Sequence, residues 1–305
     1  MPCYGPIQAF RPKRFLNTGE PNPDQSLVFK KQDAETGVAI TIPCGQCMGC
    51  RLEYARQWAI RCMHEKRLHN RSSFLTLTYR DADLPPDGTL EPEELKLFMY
   101  RLRDKFGPGI RFFACGEYGD KTNRPHYHVL LLSHDFDDKK PWKQGSQGHM
   151  LYRSETLSKL WKQGDNYIGD VTYQSAAYVT RYILKKVTGK KSDHYAGRHP
   201  EFIRMSRRPG IATGYVTKYI DELLAHDQII IDGKTAEMPR FYKQKIKEIL
   251  LQQPSQGLHN KHEQLQLKRR GRLKKLTSKQ DNTQKRLRVR EIVQLAKLKQ
   301  KSRTL

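Results

Sequence analysis

The stretch Arg124-Pro125-His126-Tyr127-His128-Val129-Leu130-Leu131-Leu132 decides the fold class of this chain. Its apolar and β-branched residues favour a β-strand, in which alternate side chains point to the same face. His126 and His128 therefore share one face, and Tyr127 lies on the other. Two neutral imidazoles aimed at one point are typical of a divalent metal site with open coordination positions. The stretch thus predicts a strand of a sheet and a metal centre built on that strand.

The segments around this strand predict a sheet accompanied by helices. Apolar and threonine residues alternate in Phe74-Leu75-Thr76-Leu77-Thr78-Tyr79, which is typical of a half-buried strand. Residues 110–117 form a further strand, and the polar loop after them allows antiparallel pairing with residues 126–132. The other predicted elements are helices over 53–69, 91–106, 155–161, 175–187 and 215–226, a strand over 167–173, and a polar insertion over 134–150. This order predicts an α+β fold, an antiparallel β-sheet flanked by helices that pack on one face.

Composition divides the chain into four segments. Residues 1–69 hold a cysteine cluster and a helix, and residues 70–190 form the core that carries the histidine strand. Residues 191–240 comprise a basic loop at 204–210 and a helical extension. Residues 241–305 are a basic tail that is helical on DNA or disordered off it.

The charge of the chain indicates a polyanionic partner. The formal net charge is +24 and the isoelectric point is about 9.8. Residues 241–305 carry 19 lysines and arginines but only four acidic residues, so surface ion pairs do not account for the excess. Nucleic acid is therefore the expected partner. Arg204, Arg207 and Arg208 of the basic loop, together with Arg181, are predicted to add phosphate contacts that do not depend on base sequence.

A membrane or secreted location is not predicted. No run of about 18 apolar residues is present, so no membrane span is expected. Met1-Pro2-Cys3-Tyr4 has neither the basic start nor the apolar core of a secretory signal. Six cysteines, three of them bunched, do not resemble a secreted disulfide framework. A reducing cytoplasm is the expected compartment.

Glu117 completes the predicted metal site. It ends the strand before the histidines, and a hairpin through residues 118–125 can bring its carboxylate beside His126 and His128. One carboxylate and two imidazoles with exchangeable water positions suit Mg²⁺ or Mn²⁺, whereas zinc would fit better with fewer open positions. The alternative is that the two histidines simply share a polar face, because so short a motif constrains a site loosely.

The helix over 175–187 presents a row of phenolic and basic side chains. Tyr178, Tyr182 and Lys185 fall at i, i+4 and i+7 and therefore on one face. The opposite, aliphatic face consists of Ala176, Val179, Ile183 and Val187. A phenol needs activation to attack a phosphate, and Arg181, Lys185 or a metal ion would favour its anionic form. The alternative is that the two tyrosines are packing residues with their hydroxyls at the rim.

A cysteine motif with metal-knuckle spacing, Cys44-x-x-Cys47-x-x-Cys50, lies near the N-terminus, and Cys3 can supply a fourth thiolate. Structural Zn²⁺ and reduced structural cysteines near a helix start both agree with it, because the usual second Cys-x-x-Cys pair is missing. Cys62 and Cys115 are predicted to be core residues, since thiols are among the most buried side chains.

Three segments together resemble the HUH endonucleases, and specifically the rolling-circle replication initiators of gokushovirus (microvirus-type) single-stranded DNA phages. The matching segments are Phe74-Leu75-Thr76-Leu77-Thr78-Tyr79, Pro125-His126-Tyr127-His128 and Tyr178-Val179-Thr180-Arg181-Tyr182-Ile183-Leu184-Lys185. The resemblance covers about residues 70–190 and identifies them as an HUH endonuclease core. It implies the HUH nuclease fold, with a ferredoxin- or RRM-like palm.

The resemblance also implies roles for the residues of these segments. The metal ligands that it implies are Glu117, His126 and His128. Tyr178 and Tyr182 would be nucleophiles used alternately in cleavage and rejoining. In the family a lysine follows each tyrosine by three residues. Lys185 fits this pattern for the second tyrosine, but Arg181 stands there for the first.

By resemblance, a tyrosine attacks a phosphodiester of single-stranded origin DNA in the host cytoplasm. The attack leaves a 3′-hydroxyl that primes synthesis and a 5′-phosphotyrosine linkage that later rejoins the strand. Host helicase and polymerase are the implied protein partners, and no built-in helicase is expected because no Walker-type Gly-x-x-x-x-Gly-Lys loop is present.

Two other classes of protein share part of this pattern. A non-enzymatic basic single-stranded DNA-binding or packaging protein would explain the charge and the cysteines. It would not explain why the Glu/His/His and Tyr/Tyr segments occur together. A transposase or plasmid mobilisation enzyme would use the same chemistry on another DNA.

Overall fold

The structure is a computed structural model that describes residues 3–15, 18, 20, 22, 26–119, 122–145, 148–185, 195–252, 256–277 and 283–302. Side chains are described for these residues except 182–185, 270–277, 299 and 301–302. The chain divides into two compact units, one made of residues 1–54 and 280–305 and the other of residues 55–279.

A seven-stranded antiparallel sheet organises the unit of residues 55–279. The strands among the described residues are β1 (Ile7–Ala9), β2 (Ile40–Ile42), β3 (Ser73–Thr78), β4 (Phe112–Tyr118), β5 (Pro125–Leu131), β6 (Lys140–Gln144), β7 (Met150–Arg153), β8 (Asn166–Gly169), β9 (Phe202–Met205), β10 (Gln228–Ile231) and β11 (Lys234–Glu237). The sheet order is β6-β7-β8-β3-β5-β4-β9, and β10 pairs with β11 as a separate hairpin. The histidine strand β5 therefore lies between β3 and β4, inside the sheet.

Helices complete the layers of this fold. Those in the described residues are α1 (Met48–Lys66), α2 (Pro92–Phe106), α3 (Glu155–Leu160), α4 (Tyr173–Lys185), α5 (Thr213–Lys218), α6 (Ile220–His226), α7 (Arg240–Gln252), α8 (Gln256–Thr277) and α9 (Gln284–Ser302). The described part of the basic tail is thus largely helical. None of these helices combines the length and the apolar character that a membrane span requires.

Helix α2 covers one face of the sheet. Pro92 stands in its first turn, where a missing N–H costs nothing, and Glu93 and Glu94 face the positive end of the helix dipole. Gly107 ends the helix with a φ of 88°, which glycine adopts without strain. The apolar stripe of α2 is buried in one cluster with the same-face residues Tyr127, Val129 and Leu131 of β5.

Helices α1 and α4 cover the opposite face. Trp58 of α1 and Val179 of α4 are buried in a cluster with Cys115 of β4 and Leu130 of β5. All seven residues of β4 are buried, so this strand needs a covering layer on both sides. The predicted α+β fold with an antiparallel sheet flanked by helices is confirmed. The expectation that helices pack on one face only is wrong, because the central strands are apolar on both faces.

Two edge strands replace segments predicted to be irregular. The predicted polar insertion over 134–150 contains β6, and the predicted basic loop begins with β9. All five residues of β6 are exposed, so its sequence shows none of the alternation that marks a half-buried strand. Strand β9 has only four residues and carries Arg204 on one side. Short and charged edges are how sheets avoid pairing with other chains.

The predicted core cysteines are buried in the unit of residues 55–279. Cys62 lies on α1 and Cys115 on β4, and neither has measurable solvent exposure. Both belong to the cluster between the sheet and helices α1 and α4. The assignment of these two thiols to the core is therefore confirmed.

The unit formed by residues 1–54 and 280–305 contains the cysteine motif. Strands β1 and β2 pair antiparallel, with Ile7 opposite Ile42. Strand β2 ends two residues before Cys44, and helix α1 begins at Met48 within the motif. The motif Cys44-x-x-Cys47-x-x-Cys50 thus spans the turn after β2 and the first residues of α1.

Candidate metal and tyrosine site

The sheet register places the three predicted metal ligands on one face. Glu117 of β4 is the cross-strand partner of His126, and His128 lies two residues further along β5. Cross-strand partners share a face, and so do residues two apart on one strand. Both imidazoles of β5 and the carboxylate of β4 therefore point to the side of the sheet that α4 covers.

The three side chains converge on one carboxylate oxygen. The Nε2 atoms of His126 and His128 lie 2.8 and 2.9 Å from Oε1 of Glu117, close enough to donate hydrogen bonds to it. One ligand atom from each residue lies within 4.8 Å of the others. Glu117 and His128 are buried, and His126 is half-buried. The geometry brings together the set predicted from the sequence.

The environment of Glu117 keeps its carboxyl ionised. Burial raises the pKa of this group, but the hydrogen bonds that His126 and His128 donate when their Nε2 atoms are protonated, and the charge that the imidazoles then carry, outweigh burial. The pKa is lowered to about 2. A carboxylate that stays ionised at neutral pH is the form that binds a cation.

The contacts of the Nδ1 atoms of His126 and His128 indicate which tautomer each imidazole can adopt when it binds a metal. Nδ1 of His126 lies 3.2 Å from the carbonyl oxygen of Arg124, and Nδ1 of His128 lies 3.1 Å from the hydroxyl of Thr76 on β3. Both partners can accept a hydrogen bond. A neutral imidazole that donates from Nδ1 leaves its Nε2 lone pair for a cation, as metal-binding histidines do. The donor set therefore fits a divalent ion.

Thr76 is the residue that sequence reasoning missed. It belongs to the segment Phe74–Tyr79, but the local sequence does not indicate a role for it, because the pairing of β3 with β5 is not readable from local sequence. Thr76 lies directly opposite His128 in the register. Its position orients the imidazole that it contacts.

Helix α4 begins at a defined point on the sheet. The backbone N–H of Ser175 donates to the hydroxyl of Thr172, and the N–H of Thr172 donates to the hydroxyl of Ser175, at 3.1 and 2.9 Å. These reciprocal bonds satisfy donors at the helix start. Ala176 and Val179 are fully buried against the sheet. The side of the helix that carries Tyr178 lies beside Glu117 and His128.

Tyr178 touches the Glu117/His126/His128 set. Its hydroxyl lies 3.4 Å from Oε1 of Glu117, and its ring packs edge-on against the His128 ring at a centroid distance of 5.2 Å. The side chain is 37% exposed, so the phenol can meet a ligand from solution while contacting the ligand set. This arrangement brings the tyrosine helix next to the histidine strand, as the resemblance implies.

The structure describes some of the other residues predicted to act on the tyrosine helix. Arg181 is exposed on α4. Tyr182 and Lys185 belong to the same helix, but their side chains lie outside the described residues. Four residues of α-helix rise about 6 Å, so the two tyrosines occupy successive turns.

The predicted basic loop lies away from this site. Arg204 of β9 is the cross-strand partner of Ala114, which is three residues from Glu117 on β4. Residues an odd number apart on a strand point to opposite faces. Arg204, Arg207 and Arg208 line a groove of about 830 Å³ beside α2. The structure thus groups the three arginines, but on the side of the sheet opposite the histidines.

The four cysteines named from the sequence form a second cluster. The Sγ atom of Cys3 lies 3.6 Å from that of Cys44 and 3.8 Å from that of Cys47. One sulfur from each of these and from Cys50 lies within 4.8 Å of the others, and all are free thiols. Tetrahedral zinc with bonds of about 2.3 Å would hold its sulfurs about 3.8 Å apart. The spacing fits that geometry.

Backbone donors surround the same sulfurs. The N–H of Tyr4 lies 3.2 Å from Sγ of Cys47, and the N–H of Cys44 lies 3.3 Å from Sγ of Cys3. Burial raises the pKa of the Cys47 thiol, but the N–H donors of Tyr4 and Cys50, with neighbouring thiols, lower it to about 7. Such donors stabilise the thiolate form that binds metals.

The chain is similar to proteins of known phages. A family model described as replication-associated protein ORF2/G2P matches residues 72–187, which include all three segments. The replication-associated protein VP4 of Bdellovibrio phage phiMH2K is 34% identical over 80% of this chain and 76% of its own length. The replication-associated protein ORF2 of Spiroplasma virus 4 is 31% identical over 68% of each chain.

A third relative, the replication-associated protein ORF4 of Chlamydia phage 1, is 28% identical over 68% of this chain and 54% of its own length. No solved structure matches the chain. The extent of the match to the phiMH2K protein, well beyond the three short segments, shows common descent rather than a shared motif. The chain therefore belongs to the family of replication-associated proteins of small phages, the microvirus-type replication initiators.

Proposed function

We propose that this protein nicks single-stranded DNA at the replication origin and later rejoins it, and so drives rolling-circle replication of a small phage. One observation carries the proposal: the Tyr178 hydroxyl lies 3.4 Å from a carboxylate oxygen that both imidazoles also contact. A nucleophile beside a cation site is what phosphodiester cleavage requires. The three relatives are replication-associated proteins, which agrees with an action on DNA.

Glu117, His126 and His128 would hold the divalent ion, Mg²⁺ or Mn²⁺. When bound, such an ion withdraws charge from a non-bridging phosphate oxygen and aligns the scissile bond. The carboxylate supplies the negative charge, and the Nδ1 contacts fix the imidazole rings. The partial burial of the site keeps the ligands in place before DNA arrives.

Tyr178 is the proposed nucleophile. Its oxygen loses the phenolic proton and attacks the phosphorus, while the bond from phosphorus to the 3′-oxygen breaks. The departing 3′-oxygen takes up a proton and becomes the primer hydroxyl. The phosphate stays on the tyrosine as a 5′-phosphotyrosine ester, which conserves the bond energy. Attack of a 3′-hydroxyl on that ester reverses the step and needs no nucleotide cofactor.

Tyr182 and Lys185 have supporting roles in the proposal. Tyr182, one helical turn after Tyr178, would attack the regenerated origin after a round of synthesis. Lys185 would stabilise the negative charge that develops on the phosphate or the departing oxygen. Arg181 follows Tyr178 at the same spacing, but a guanidinium stays protonated and cannot relay a proton. The two tyrosines are therefore not equivalent in their surroundings.

The basic residues would bind DNA without reading its sequence. Arg181 lies on the tyrosine helix, and Arg204, Arg207 and Arg208 line the groove beside α2. Arg181 would contact a phosphate next to the nicked linkage, whereas the three arginines of the groove, on the opposite side of the sheet, would contact phosphates of a more distant part of the DNA. In the host cytoplasm, host polymerase would extend the primer and host helicase would separate the strands ahead of it. None of these contacts identifies the origin sequence.

The cysteine cluster is the proposed site of a structural Zn²⁺. Four thiolates with tetrahedral spacing leave no open coordination position, so the ion would hold the chain together rather than react. Cys3 is 41 residues from Cys44 in sequence. A metal that joins them would fix the N-terminal segment to the start of α1.

One experiment separates the enzyme from a non-enzymatic DNA-binding protein. The purified protein is incubated with Mn²⁺ and single-stranded origin DNA, and a protein–DNA adduct that survives denaturation is sought. We expect an adduct in the wild type and in Tyr182→Phe, and none in Tyr178→Phe or in the double variant. Unaltered DNA across several metals and origin fragments, with tight binding retained, would identify a binding or packaging protein instead.

A further inference from the structure

An aromatic and cationic cluster lies on the outer part of the sheet, away from α4. The rings of Trp142 on β6 and Tyr167 on β8 stack with centroids 4.8 Å apart and an interplanar angle of 17°. Trp142 is 40% exposed, although large aromatic residues usually bury most of their surface. A stack whose outer ring is exposed on an edge strand contributes little to a core.

A β-bulge directs Trp142 to this position. Pro141 pairs with Tyr152 and Lys143 pairs with Leu151, so Trp142 is an extra residue without a partner in the register. Bulges re-aim a side chain and occur preferentially at sheet edges and near functional sites. The bulge places the indole over Tyr167, two strands inward across the sheet.

Two cations stand beside the stack. Nζ of Lys143 lies 4.0 Å from the centroid of the Trp142 ring, and the guanidinium carbon of Arg153 lies 4.1 Å from it. Arg153 also contacts the carboxylate of Asp165 at 3.2 Å, but Lys143 is exposed. Aromatic rings interleaved with exposed cations are the surface to which single-stranded nucleic acid binds.

The cluster shares a face with the metal ligands. Tyr167 is the cross-strand partner of Thr76, which is the partner of His128, so the three side chains form one row across β8, β3 and β5. Strands are about 4.8 Å apart, which puts Tyr167 about 10 Å from His128. Along this face Thr76 and Tyr167 are only half-buried. A DNA strand at the metal site can therefore continue to the aromatic stack.

We propose that Trp142 and Tyr167, with Lys143 and Arg153, bind an unpaired base and the adjoining phosphate of the DNA strand next to the nicked linkage. This proposal rests on the function proposed above. The rings would stack on a base and the cations would contact phosphate. Every base has a π-face, so stacking on the two rings does not depend on the base sequence of the unpaired DNA.

The test uses the tryptophan fluorescence of the full chain. The sequence has three tryptophans, and Trp58 and Trp161 are only 8% and 1% exposed, so a bound base quenches chiefly Trp142. An oligomer of eight thymidines is added without any divalent metal, so that no cleavage occurs. We expect quenching by this oligomer and much less by an eight-unit abasic oligomer of the same charge.

Affinity for labelled octathymidine is then measured by fluorescence anisotropy. We expect Trp142→Ala to weaken binding roughly tenfold, and Trp142→Phe to retain most of it. Ile230→Ala is the control, because Ile230 is 64% exposed on the separate β10–β11 hairpin, outside both proposed DNA-binding surfaces, and should bind like the wild type. Circular dichroism confirms that each variant is folded.

Two results would overturn the proposal. One is unchanged affinity in folded Trp142→Ala, and the other is equal affinity of the wild type for the thymidine and abasic oligomers. Both are independent of the nicking assay. Quenching without any covalent adduct would support the base-binding cluster and contradict the proposed nicking activity. A covalent adduct together with unchanged DNA affinity in Trp142→Ala would support the nicking activity and contradict the base-binding cluster.

Discussion

The hydroxyl of Thr76 lies 3.1 Å from Nδ1 of His128, across the pairing of β3 with β5. A contact at Nδ1 controls the tautomer and the angle of the ring, and thereby the direction of the Nε2 lone pair. Strand β3, beside the histidines, therefore contributes to the candidate metal site without offering a ligand.

Replacing Thr76 by valine keeps the volume and removes this hydroxyl. We expect Thr76→Val to weaken Mn²⁺ binding by about 10- to 100-fold, because the His128 ring loses its orienting partner. Isothermal titration calorimetry with Mn²⁺ measures the effect. Thr78→Val is the matched control, since Thr78 lies on the same face of β3 but donates to the backbone carbonyl of Asp165. Equal affinity in the two variants would show that Thr76 does not position the ligand.

His126→Ala tests whether the histidines serve chemistry or folding. The variant should form no covalent adduct while its affinity for single-stranded DNA stays near that of the wild type. The reason is that the imidazole is a proposed metal ligand, whereas the proposed phosphate contacts come from basic residues elsewhere. Adduct formation and anisotropy are measured on the same preparation. A comparable loss of both would mean that His126 is structural.

The cysteine cluster predicts one bound zinc ion per chain. Elemental analysis of the purified protein should find that stoichiometry, and Cys47→Ser should lose most of the metal because a hydroxyl is a poor zinc ligand. Cys62→Ala is the control, since Cys62 is a core thiol and not a member of the cluster. Zinc-free wild type, purified without chelators, would leave reduced structural cysteines as the explanation.

The sequence was sufficient to predict the centre of the sheet and the grouping of Glu117, His126 and His128. Alternation in β5 placed His126 and His128 on one face, and the short hairpin to β4 brought Glu117 beside them. These are local consequences of strand geometry. The contact of Tyr178 with Glu117 joins residues 61 apart and depends on how α4 packs, so the sequence supported it only through family resemblance.

The features that sequence reasoning missed are non-local or fully exposed. Strand β6 is solvated on both sides and lacks an apolar period, so it resembled a polar insertion. The role of Thr76 depends on which strand pairs with β5. The Trp142 stack depends on a bulge, which shifts the pairing by one residue and leaves no compositional mark.

Buried His64 makes the stability of the protein depend on pH. Its Nδ1 lies 2.8 Å from the Tyr242 hydroxyl, and its ring stacks on Tyr215. Burial, assisted by the charge of Arg67, lowers its pKa from 6.5 to about 3. Between these values the unfolded chain binds a proton that the folded chain does not, so the free energy of unfolding falls as the pH falls.

The His64 contribution is measured against His64→Gln, which does not titrate in this range. Between pH 6 and pH 4, the unfolding free energy of the wild type should fall relative to that of the variant by about 1.4 kcal/mol per pH unit. Urea denaturation at several pH values gives the difference. Parallel curves for the two proteins would contradict a neutral, buried imidazole.

Gly164 allows the chain to pass close to the end of β3. A Cβ atom at this position would lie 2.6 Å from the backbone nitrogen of Arg80 and 2.8 Å from the carbonyl carbon of Tyr79. These are backbone atoms next to a strand that donates from Thr78 and Arg80 to the 163–165 segment, so they cannot move aside without loss of those bonds.

We expect Gly164→Ala to lower the free energy of unfolding by about 1–3 kcal/mol. Gly257→Ala is the control, because a Cβ there meets no atom within 4 Å and alanine favours the helix α8. Thermal unfolding should show a lower midpoint for Gly164→Ala and an unchanged or higher one for Gly257→Ala; equal midpoints would mean that the segment yields to the extra carbon.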